Sequence, residues 1–176
     1  KFRKEMICFP YCVTVLKNVR RNFAIIYWIL KIQSLKNSKK DFSKFEWNPM
    51  KIIMRINLEW RIKLFQDKQT TTLLKKIVEE FLMFSRKNHF NAILMILPQK
   101  DDVNFIKNNF HFYEKFLKEL SNLDQLQIID ATKDFLQVTN LDSLYSEKNE
   151  YGGHYSQQGN QKIASIISYE LAKNGL

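Results

Sequence analysis

One histidine stands among most of the chain's glycines. The stretch YGGHYSQQGN, Tyr151 to Asn160, carries Gly152, Gly153 and Gly159 around His154, three of the four glycines in 176 residues. Glycine admits positive φ and close backbone approach. Gly152-Gly153 can therefore turn the chain and present the imidazole. Ser156 can then cap a helix whose first turn, at Gly159, packs closely on a sheet. A histidine fixed between a turn and a helix start is placed to act as a general base. The same spacing also suits a tight turn whose histidine only caps or packs.

Few other residues carry chemistry. Asp101 and Asp102 in PQKDD could shape a substrate pocket, although adjacent acids at a helix start more often cap it. Asp130 ends an apolar run, His89 reads as a turn residue, and His111, among Phe110, Phe112 and Tyr113, reads as part of a helix surface. Cys8 and Cys12 supply neither a disulfide framework nor a zinc set. Free thiols fit a reducing compartment, which favours the cytoplasm among localisations the sequence leaves open. No ligand spacing suggests a metal, and no glycine-rich phosphate loop suggests a nucleotide, so no cofactor is expected.

The elements that must position these residues follow from periodicity. Apolar residues recur at helical spacing from Val13 to Ile32 and from Thr70 to Lys87, where Asn88 ends the run. Gln33 to Pro49 is polar and reads as a loop. MKIIMRINL, Met50 to Leu58, has the β-branched content of a strand. AILMILP, from Ala92, and LQIID, ending at Asp130, read as buried strands, with one helix between them carrying Phe105 to Leu120. Ala131 to Tyr155 reads as irregular, and a last helix starts at Ser156. Strands alternating with helices predict an α/β domain with a parallel sheet covered on both sides. In such sheets ligands bind beyond the carboxyl ends of the strands, where Pro98 to Asp102, Asp130 and the loop before the last helix should meet.

The net charge of +10 is uneven. Residues 1–45 hold eleven Lys/Arg against Glu5 and Asp41, a net +9, and residues 46–176 hold seventeen against sixteen. A basic stretch of this kind could bind nucleic acid or an anionic membrane surface. We read it instead as a solvated face, or one that meets an acidic neighbour, and expect no nucleic-acid partner. No apolar run reaches the length of a transmembrane helix.

GGHYSQQGNQKIASII resembles the last motif block of the SGNH (GDSL-type) hydrolases, with His154, Gly159, Asn160, Ile163 and Ala164 at matching places. The order of strands, helices and loop over residues 70–176 agrees with it. The resemblance implies one domain over residues 1–176, with a basic helical region at 1–45 and an α/β core at 50–176. Its fold would be a three-layer α/β/α, flavodoxin-like parallel sheet lacking its first strand. It also implies ester hydrolysis or acyl transfer on an acylated small molecule, lipid or carbohydrate ester, with His154 as base for a serine.

Three departures accompany the resemblance. No serine here has the family's Gly-Asp-Ser setting, so the nucleophile is expected outside this chain; the alternative is a non-catalytic binding module. Tyr151 stands where the family has an acid, leaving Glu150, or Asp142 in NLDSLY, to orient the imidazole. Asn57 lies near the expected place of the family's oxyanion-holding asparagine. Substrate contacts are therefore expected from Asn57, Asp101 and Gly153.

Overall fold

The computed structural model describes residues 18–37, 48–146, 153–173 and 175. Of these, 70% are helical and 9% extended, and the strands form one two-stranded parallel sheet. The expected three-layer, flavodoxin-like sheet is thereby overturned. Cys8, Cys12, Glu150, Tyr151 and Gly152 lie outside the described residues. Contacts divide the chain into two compact units, residues 1–57 and 58–176.

The first unit contains helix α1, Val19–Asn37, and the first half of helix α2, Pro49–Gln66. Helix α1 runs on past the expected loop start at Gln33, because Leu35 extends the half-buried row of Ile25, Trp28 and Ile32. Met50 to Leu58, expected as a strand, lies within α2. Asn48 begins that helix by accepting the Met50 N–H at 2.9 Å, and Pro49 holds the first helical position, where its missing N–H removes no bond. With no further Gly or Pro before Gln66, this start overrides the local β-branched preference. The Arg21 guanidinium joins the two helices by donating to Asn57 Oδ1 at 2.8 Å.

The second unit begins in α2 and continues into helix α3, Lys68–Lys87, which Asp67 caps by accepting the Thr70 N–H at 2.8 Å. Asn88 ends α3 as expected, its N–H donating to Phe84 O at 3.1 Å. His89, with φ of +56°, turns the chain toward strand β1, Ala92–Ile96. Strand β2, Leu126–Asp130, pairs with β1 from Ala92↔Leu126 to Ile96↔Asp130.

The single helix expected between the strands is two, α4 at Lys100–Asn108 and α5 at Glu114–Leu120. The side chains of Asn108 and Asn109 donate to the carbonyls of Asn104 and Phe105 at 2.8 and 3.0 Å, competing for the acceptors that would continue α4. His111 consequently lies on the connection rather than on a helix surface. The stretch expected to be irregular holds helix α6, Thr132–Leu136, and a 3-10 turn, Leu141–Leu144. Helix α7, Gln157–Lys173, closes the described chain.

Alternation along the strands gives each sheet face its own core. Ile93, Met95 and Ile129 pack with Val103, Phe135, Leu144 and Ile166. Leu94 and Ile128 pack with Val78, Phe116 and Leu120 on the other side. Ile96 joins a third cluster around Phe112 and Tyr113.

Gly159 is packed on the 3-10 turn rather than on the sheet. A Cβ there would fall 2.1 Å from Leu144 O, whereas at Gly153 it would meet nothing within 4 Å. Gly159→Ala is therefore expected to lower the unfolding free energy by about 2 kcal/mol or more. Gly153→Ala should stay within about 0.5 kcal/mol of the parent. Urea unfolding of both variants checks the contrast.

Candidate functional site

The site is built around the carboxyl end of β1. The chain leaves the strand through Leu97 and the buried Pro98, whose carbonyl accepts the hydroxyls of Tyr145 at 2.8 Å and Tyr155 at 2.6 Å. The two rings stack with centroids 5.2 Å apart, their residues form an antiparallel bridge, and Phe135 packs edge-on against both. Burial pushes the Tyr145 hydroxyl above its usual range and the Tyr155 hydroxyl up to about 12, so both hold their protons and donate.

Residues on either side of His154 are laced to the 3-10 turn and its exit. The Ser156 N–H donates to Leu144 O at 2.9 Å, and its hydroxyl to Ser143 O at 2.5 Å. Ser156 Oγ accepts the Gly159 N–H at 3.1 Å, which is the expected cap of α7. The Ser146 N–H and hydroxyl both donate to the His154 carbonyl, at 2.9 and 3.2 Å. The backbone of His154 is thus fixed at the start of α7 while its side chain is exposed. No hydrogen bond or ion pair links the imidazole to another described residue.

Asp142, expected to orient His154, and Asn57, expected to contact substrate, are each bonded to another residue. Asp142 Oδ1 lies 2.8 Å from the Nζ of Lys100, whose side chain is only 4% exposed. Asn57 sits inside α2 in the first unit, bonded to Arg21, and not at a strand end. Gly153 is exposed beside His154.

The neighbouring acids of PQKDD have different roles. Asp102 is buried, receives the Arg61 guanidinium at 2.8 and 3.1 Å, and accepts the Gln99 N–H at 3.0 Å. Its capping role at α4 is as expected. Asp101 Oδ2 is buried without a hydrogen-bond partner, and burial raises this carboxyl above its usual range against the pull of Arg61.

At the end of β2, Asp130 accepts the Thr132 N–H at 3.1 Å, and its other oxygen lies 3.8 Å from His111 Nε2, beyond hydrogen-bond range. These two residues line a cavity of about 340 Å³ together with Glu114, Lys118 and Lys133 and the apolar Leu117, Ile128 and Ile166. Among the described residues no group of three metal-ligating side chains occurs. Sequence reasoning missed Tyr145, Tyr155 and the Pro98 carbonyl. A signal was present, since Tyr155 adjoins the histidine and Tyr145 follows Leu144 at the end of LDSLY.

Asp101 yields a pH test. Its raised folded pKa means that the folded state holds the proton more tightly than the unfolded one, so its contribution favours folding at low pH and is lost as pH rises through the folded pKa. Asp101→Asn should therefore be more stable than the parent at neutral pH, with the difference shrinking as pH falls through the carboxylate range. Denaturation across that range checks the sign.

Compared with known proteins, the chain matches no family model, no curated protein and no solved structure.

Proposed function

We propose that the chain carries the histidine of a serine ester hydrolase or O-acyltransferase with SGNH-type chemistry. The observation that supports this is the presentation of His154, whose carbonyl is held by Ser146, whose following helix start is held by Ser156, and whose side chain is exposed. A general base needs that combination, because the ring must be held in place yet reach a substrate-bound proton.

In this reading His154 takes the proton of a serine hydroxyl as the oxygen attacks an ester carbonyl. It returns that proton to the departing alcohol as the C–O bond breaks, leaving an acyl-serine. Water or an acceptor alcohol then attacks the acyl-serine, its proton passing through His154 back to the serine. The serine comes from outside residues 1–176. Glu150 is the acid proposed to orient the ring, since Asp142 is paired with Lys100. Gly153 and Asp101 border the substrate, an acylated small molecule, lipid or carbohydrate ester.

That engagement of Asp142 also favours a second reading, a binding module that takes acylated ligands without turnover. The two separate in one experiment on the protein as encoded. His154→Ala should lower hydrolysis of p-nitrophenyl acetate by about a thousandfold, leave the thermal midpoint unchanged, and suppress labelling by a fluorophosphonate probe. Full turnover by the variant would overturn the hydrolase reading. A parent protein that neither hydrolyses nor labels, yet binds an acyl ester, would establish the binding module.

A further inference from the structure

Helix α1 carries apolar residues on two faces. One face, with Ile25, Trp28, Ile32 and Leu35, is half-buried. The other leaves Val19, Phe23, Ile26, Tyr27 and Leu30 open to solvent, Phe23 at 68% and Leu30 at 58%. At 3.6 residues per turn these five fall within an arc of about 100°, in a stripe about 16 Å long. A continuous exposed apolar stripe of this kind marks an interaction surface.

The charges beside the stripe select its partner. Helix α1 contains Arg20, Arg21, Lys31 and Lys36 and no acidic residue. Arg20 and Lys31 are exposed and stand along one border of the stripe, where long side chains can lie along an apolar surface and keep their charge in water. Residues 1–57 hold thirteen Lys/Arg against Glu5, Asp41 and Glu46, a net +10, while residues 58–176 hold fifteen of each sign. The whole excess thus belongs to the unit that exposes the stripe. A second copy docked through α1 would set cations against cations. A bilayer with anionic headgroups accepts apolar side chains below its surface and cations at it.

We propose that α1 docks in the plane of an anionic lipid bilayer, with Phe23, Ile26, Tyr27 and Leu30 below the headgroups and Arg20 and Lys31 among them. No described helix is long and apolar enough to cross a membrane, and docking in the plane of the headgroups needs none. The docking does not rest on the ester-hydrolase reading and is measured without turnover.

The test is sedimentation of the full chain with vesicles of phosphatidylcholine alone or of equal parts phosphatidylcholine and phosphatidylserine. The chain should pellet with the mixed vesicles, and binding should fall as salt screens the headgroups. Phe23→Ser with Leu30→Ser should weaken binding by about tenfold or more. Arg20→Glu with Lys31→Glu should weaken it on mixed vesicles only, with circular dichroism confirming that both variants remain helical. Absence of binding, equal binding to neutral vesicles, or indifference to both pairs of substitutions would overturn the proposal. Capture of an acidic protein without any vesicle binding would overturn it too.

Discussion

A single carbonyl holds the candidate site together. Pro98 follows β1 and, having no N–H, offers the backbone only its oxygen, yet that oxygen is buried and receives two tyrosine hydroxyls. Both lone pairs are thereby used, and both phenol protons find an acceptor in a place where an unmade bond would cost about 1–3 kcal/mol. The geometry is mutual. Tyr145 and Tyr155 can reach one atom only because their rings stack, and they stack because their residues pair as a bridge. The strand end, the exit of the 3-10 turn and the approach to α7 are therefore one polar junction inside an aromatic cluster.

Around that junction the buried charges are matched unequally. Lys100 and Asp102 are both buried, and each has an opposite charge at 2.8 Å, on Asp142 and Arg61. Asp101, between them in sequence, has a buried oxygen with no hydrogen-bond partner. Three consecutive charged residues thus start α4 under different constraints. The pairing explains why a charge can be buried at two of these positions, since a lone ion moved from water would be strongly disfavoured. It also occupies Asp142, one of the two acids expected to orient His154.

Much of this frame was legible in the residues. The apolar runs at Ala92–Ile96 and Leu126–Asp130 are strands, Asn88 stops α3, and Ser156 caps α7. What failed was inference from composition to architecture. Ile52, Ile53 and Ile56 favour a strand locally, but Asn48 and Pro49 start a helix that tertiary packing sustains, and with it the third strand disappears. Alternation of helix and strand then yields a two-stranded sheet, too narrow for the expected layers. The helix expected through Phe105 to Leu120 failed for a different reason. Asn108 and Asn109 bond backwards to their own helix, and the break carries His111 to Asp130. Side-chain partners such as Arg21 for Asn57 join residues 36 apart, and no local pattern encodes them.

The glycines around His154 serve unlike purposes, and their difference explains how the histidine is held. Gly159 is a steric requirement, because the first turn of α7 approaches Leu144 O more closely than any Cβ permits. That approach brings Ser156 within reach of two successive carbonyls, Ser143 O and Leu144 O, while its hydroxyl still accepts from Gly159. The turn of helix that follows His154 is fixed by this contact, and Ser146 fixes the histidine's own carbonyl. Gly153 has open space and answers to no such contact. Precision on the helix side and room on the turn side leave the imidazole as the part of the junction with freedom to choose a partner.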